Sequence, residues 1–280
     1  MKWRGSQGSR NIEDRRGMSK GKAGGMGIVG VLIVMGLGLV FGVDVSPLLN
    51  NSGGATSSSS GALTQEDRAQ GEFVSATLGY TEQIWTEVFK TQLSRRYNPP
   101  TLVLFKGTTA SPCGNASGAT GPFYCPADKK AYLDTAFFTT LSRRMGAGGD
   151  FAAAYVVAHE IAHHVQNELG TLGKANAARQ RMSTADSNRV SVMIELQADC
   201  YSGIWARYAE ERLGVIEAGD ISEAINAAKQ IGDDTLQRNA GQRPMPHTFT
   251  HGTSAQRQEW FARGYKSAKM AQCDTFAALN

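Results

Sequence analysis

No cysteine precedes Cys113 in this 280-residue chain, and none of the four stands in a C-x-x-C pair. That spacing argues against a thiolate zinc ribbon or finger. An even number instead suits two disulfides. Cys113 and Cys125 bracket a short Gly/Pro/Ser-rich loop, so a local bridge is the simplest pairing. Cys200 and Cys273 then tie the carboxy-terminal segment to a helix. Charge is missing elsewhere: Met26 to Val43 holds no ionisable residue, and no Lys or Arg occurs between Lys22 and Arg68. Histidine is scarce too, with five residues. The net charge of +4 owes much to the first 22 residues, which gives little reason to expect nucleic-acid binding by the rest.

Residues 1–25 are polar, glycine-rich and basic, the composition of a disordered tail. Residues 26–43 (MGIVGVLIVMGLGLVFGV) have about the length needed to cross a bilayer and read as a transmembrane helix. A cleaved signal peptide is the rival reading, but Val43-Asp44-Val45-Ser46-Pro47 offers no good small-x-small site. The basic residues lie before the span, which predicts a single-pass inner-membrane protein. Its amino terminus would be cytoplasmic and its main domain periplasmic or extracytoplasmic. Residues 44–63 have the composition of a Gly/Ser-rich tether, and 64–280 are long enough for one domain with a full core. Thr64-Gln65-Glu66-Asp67 resembles a helix start, while Thr101 to Lys106 and Lys130 to Asp134 suggest two strands.

The chemistry concentrates in Tyr155 to Gln166 (YVVAHEIAHHVQ). His159 and His163 are four residues apart, so on a helix they share a face and can reach one metal ion, with Glu160 beside them as a general base. Apolar residues at helical spacing surround the pair, and Asp150 is a candidate N-cap. His164 points about 100° away and is structural or at the surface. The bland alternative is a buried helix with two satisfied core histidines. A catalytic zinc takes three protein ligands and an open position, so a further donor is required. Glu195 is the best candidate, on a second helical pattern from Val190 to Tyr208, with Asp199 one turn on to accept the N–H of a liganding imidazole. Most acidic pairs on helices are merely solvated. His247 and His251, in the segment RPMPHTFTHGTS, are alternative third ligands.

Together with the KWRG start, NIEDRR, the apolar run, GPFYCPADKKAYLD, ELQADCYSGIWA and HGTSAQR, this motif resembles the bacterial neutral zinc metallopeptidase family over nearly the whole chain. H-E-x-x-H followed by E-x-x-x-D is similar to the gluzincin arrangement of thermolysin and the membrane-bound processing peptidases. The resemblance implies an α+β fold, mainly helical with a small β-sheet, here preceded by one transmembrane helix. It implies zinc on His159, His163 and Glu195, a base at Glu160, a supporting carboxylate at Asp199 and a polypeptide substrate. HGTSAQR matches in spacing an H-P-x-x-x-x-R element of some membrane gluzincins, with Gly252 in place of proline. That draws attention to His251 and Arg257, a cationic group near zinc being able to stabilise an oxyanion. The plainer alternative has Arg257 paired with a core carboxylate and His251 capping the helix near Ser254. Tyr132 and its neighbours become candidates for an edge strand that holds extended peptide. A zinc-stabilised binding module and a cell-wall peptide amidase are the competing functions, and ligand type alone leaves manganese and cobalt open.

Overall fold

The computed structural model describes residues 1–17, 62–117 and 121–277. Thr64 opens the first helix, α1 (Gln65–Leu93), through a capping box: its hydroxyl accepts the Asp67 N–H, and the Asp67 carboxylate accepts the Thr64 N–H. Lys106 Nζ adds an ion pair 3.0 Å from the same carboxylate. Along the helix, Phe73, Val74, Leu78, Ile84, Trp85, Val88 and Phe89 enter the main core.

Among the described residues six strands follow the chain order β1 (Ile12–Asp14), β2 (Thr101–Phe105), β3 (Thr108–Ser111), β4 (Gly114–Ser117), β5 (Phe123–Cys125) and β6 (Lys130–Asp134). A mixed sheet runs in the order β1-β2-β6-β5, with β1, β2 and β6 parallel and β5 antiparallel to β6. The near-continuous burial of TLVLF and KAYLD suits strands paired on both sides and covered on both faces. β3 and β4 form a separate hairpin, which the Cys113–Cys125 disulfide ties to β5.

The remaining helices are α2 (Ala136–Arg143), α3 (Asp150–Glu168), α4 (Thr171–Arg179), α5 (Thr184–Tyr208), α6 (Asp220–Gln230), α7 (Asp233–Asn239) and α8 (Ser254–Ser267). The fold is α+β and mainly helical, as expected. α3 is apolar nearly all round and takes the centre, with 15 of its 19 residues buried. Gly149, not Asp150, is its N-cap. α5 and α8 meet backbone to backbone. A Cβ at Gly203 would stand 2.0 Å from the Phe261 carbonyl oxygen, and one at Gly264 would stand 1.8 Å from that of Cys200. Cys200 and Cys273 are also bonded, so both disulfides match the pairing expected from spacing.

The amino terminus departs from expectation. Residues 1–17 are an integral part of the domain: β1 pairs with β2, and the Met1 ammonium lies 2.9 Å from Asp150, 3.0 Å from Glu217 and 3.2 Å from Asp220. Charges that suggested disorder are engaged both locally, as in Arg15 with Glu13, and by partners from elsewhere in the chain. Lys130 reaches Glu13, and Arg16 bonds Asp14 and the Asp67 carbonyl. The single-pass membrane reading is corrected on the same ground. One crossing by residues 26–43 would put 1–17 and 62–277 on opposite sides of a bilayer, yet both belong to one packed body. Among the described residues no helix is long and apolar enough to cross a membrane, and residues 26–43, like nearly all of the 44–63 tether, lie outside the described residues.

Asp67 gives this body an acid-sensitive joint. Hydrogen bonds from the Thr64 backbone and side chain, then the Lys106 bond, lower its carboxyl from 3.8 to about 2. A depressed folded-state value means that its stabilisation is present above pH 3.8 and is lost as pH falls through about 2. Asp67→Asn should therefore lower the unfolding midpoint at neutral pH, and its deficit against the wild type should shrink as pH falls from 3.8 through about 2. A deficit independent of pH would show that the Asp67 charge is not the cause.

Candidate metal centre

α3 and α5 pack against each other, and their four-residue spacings place His159 and His163 opposite Glu195 and Asp199. His159 Nε2 lies 2.9 Å from Glu195 Oε2, and His163 Nε2 lies 3.4 Å from Glu195 Oε1. One donor atom from each residue falls within 4.8 Å of the others. Ligands about 2 Å from a tetrahedral zinc stand about 3.3 Å apart, so the trio is spaced for one ion. His247 and His251 are outside this cluster, whose third member among the described residues is Glu195.

The charges of the trio depend on each other. Burial opposes charge on His159, but the nearby Asp199 and Glu195 carboxylates outweigh it and raise the imidazole to about 10 in the metal-free chain. Burial would raise Glu195, yet the two imidazoles hold it well below the usual carboxylate range. A divalent cation competes with these protons for the same lone pairs. Glu160 differs: its side chain makes no hydrogen bond among the described residues, and burial, partly countered by the histidines, pushes its carboxyl up.

The family described as "Putative neutral zinc metallopeptidase" matches residues 1–276. The chain belongs to this family. It is 40% identical over 285 residues to an uncharacterized protein, YpfJ, of Escherichia coli K12, covering 99% of each chain. It is 46% identical over 194 residues to the uncharacterized protein Rv2575 of Mycobacterium tuberculosis H37Rv, covering 66% of this chain and 64% of that one. No solved structure matches. The family description implies zinc, and a donor set of two imidazoles and a carboxylate fits it.

In this zinc metallopeptidase family member, Asp199 is fully buried behind the donors. It receives Arg257 Nε at 2.8 Å and Nη2 at 3.0 Å, and the Tyr155 hydroxyl. His159 Nδ1 stands 3.0 Å from it, close but poorly aligned for a hydrogen bond. Arg257 also donates to the Ile231 carbonyl and the Tyr155 hydroxyl. These partners take four of the five N–H groups of a guanidinium that is buried. The oxyanion role considered for Arg257 is therefore replaced by the plainer one, the countercharge of a core carboxylate.

His251 is held differently. Asp233 Oδ2 accepts the backbone N–H groups of Thr250, His251 and Gly252, while Asp233 Oδ1 lies 3.1 Å from His251 Nδ1. Burial disfavours charge on this imidazole, but Asp233, with Glu195 nearby, raises it. It does not cap α8; Thr253 does. His164 is structural, its Nε2 donating to the Asn98 carbonyl and its Nδ1 accepting from Tyr124. Tyr132 is not at a sheet edge: β6 is paired on both sides, its ring stacks on Phe123, and its hydroxyl donates to Asp128. The edge strand against α3 is β5.

Tyr155, Gln166 and Asp233 escaped the sequence reading. Tyr155 stands one turn before His159 on its face, and Gln166 stands three residues after His163 with Oε1 2.9 Å from His163 Nδ1, so helical spacing could have found both. Nothing in the sequence marks Asp233, which opens α7 and meets His251 after the chain has doubled back. Removing the countercharge of Asp199 should be costly. Arg257→Leu is expected to destabilise the metal-free protein by about 3–5 kcal/mol in urea unfolding, because it leaves a buried carboxylate unpaired. A loss under about 1 kcal/mol would mean that Asp199 does not depend on this partner.

Proposed function

We propose that the chain is a zinc-dependent peptidase that hydrolyses peptide bonds, with His159, His163 and Glu195 as metal ligands and Glu160 as general base. The single observation that carries this reading is the contrast between the two glutamates beside the histidines. Glu195 lies 2.9 Å from His159 Nε2 and 3.4 Å from His163 Nε2, whereas Glu160 is buried without a hydrogen-bond partner among the described residues. A structural metal needs no spare carboxylate. When bound, zinc supplies a Lewis acid that polarises a carbonyl and lowers the pKa of a coordinated water.

Glu160 takes a proton from the attacking water and returns it to the leaving amine, a task suited to a carboxyl that burial raises. His251 is the candidate for steadying negative charge on the substrate oxygen. Asp233 engages its Nδ1, and its side chain remains 41% exposed and so open to a ligand. Asp199 acts at one remove by setting the direction of His159. β5 offers backbone groups beside α3 on which an extended polypeptide can pair.

Substituting Glu160→Ala should leave zinc bound one to one and slow cleavage of a proteome-derived peptide library by at least about 10²-fold. Undiminished cleavage by the purified variant would sink the assignment of the base. Stoichiometric zinc in a wild-type chain that cuts no polypeptide would favour the binding-module reading, and cleavage confined to purified cell wall would favour an amidase.

A further inference from the structure

Two buried glutamines connect His163 to the carboxy-terminal disulfide. Their amides can be oriented without ambiguity, because each bonds a backbone carbonyl that can only accept. Gln166 Nε2 donates to the Ile194 carbonyl at 2.8 Å, and Gln197 Nε2 donates to the Cys273 carbonyl at 3.0 Å. Gln197 Oε1 then faces inward and takes a second N–H from Gln166 at 3.1 Å. Gln166 Oε1 is left facing His163 Nδ1, so that ring nitrogen must carry the proton. Nε2, 3.4 Å from Glu195 Oε1, is then the nitrogen whose lone pair a metal can take. The relay thus selects the imidazole tautomer that a metal requires.

Its far end does not belong to either metal-bearing helix. Cys273 closes a short 3-10 turn, Met270–Cys273, reached after α8 has ended at Ser267. The Cys200–Cys273 disulfide fastens this strap to α5. Beyond it, Thr275 Oγ1 donates to the Met193 carbonyl and Phe276 packs against a cluster containing Tyr124 and Ile194.

We propose that Gln166 and Gln197 are positioning residues for His163, and that the Cys200–Cys273 disulfide holds the far end of their relay, so that zinc is bound less tightly once this bond is removed. The proposal rests on the zinc reading above. A pair of amides that merely satisfied each other in a core would have no bearing on the ring proton or on metal affinity.

Competition titration with zinc and a chromophoric chelator, on the full chain, tests it. Gln197→Leu and the double variant Cys200→Ser/Cys273→Ser should each weaken zinc binding by about 10-fold or more. The three substitutions combined should weaken it no further, because they interrupt one relay. Cys113→Ser/Cys125→Ser, which opens the other disulfide, should bind zinc as the wild type does. Nitrogen-15 spectra of the histidine rings in the zinc-loaded wild type should show the His163 proton on Nδ1, a readout that needs no variant to fold. Wild-type affinity in Gln197→Leu, additive losses, or a His163 proton on Nε2 would each overturn the relay. Failure of the wild-type chain to bind zinc would instead overturn the zinc reading, and the relay with it.

Discussion

A carboxylate with no access to water has to be neutralised by its surroundings, and Asp199 is met by partners from two other helices. Arg257 comes from α8, while Tyr155 and His159 come from α3. Isolated ions are too costly to bury, so these groups have to arrive together. Their arrival fixes three helices against one another and turns His159 toward Glu195. Site geometry and core electrostatics are therefore one problem with one solution.

Two glutamates near the same imidazoles end in opposite states. Glu195 is drawn down by positive partners, whereas Glu160 is pushed up by burial without a hydrogen-bond partner among the described residues. Environments that push like groups apart allow one to hold a cation while the other exchanges protons. No sequence distance encodes this difference; it follows from which helix face each residue occupies once α5 has packed on α3.

Short-range periodicity made much of this legible in advance. His159, His163, Glu195 and Asp199 could be read because four-residue spacing on a helix dictates a shared face, and the two strands and the Thr64 cap could be read from equally local patterns. What failed depended on partners distant in sequence. Arg257 has the spacing of a site residue, but spacing carries no direction, and its side chain turns to Asp199. The amino-terminal residues have a composition typical of disorder, yet Ile12–Asp14 finds β2 and Met1 finds Asp150, pairings nearly a hundred residues or more away in the chain. The membrane reading failed with them, since it assumed that nothing joined the two ends of the apolar run.

The close backbone approach of Gly203 to Phe261 and of Gly264 to Cys200 sets a length scale for everything around it. Helices separated by side chains can drift as rotamers change, but two that touch through main-chain atoms have no such slack. The reach of Arg257 to Asp199 is therefore gauged by peptide geometry rather than by adaptable packing. Two residues with no side chain at all thus calibrate the centre of the molecule, well outside the group of atoms that would hold the metal.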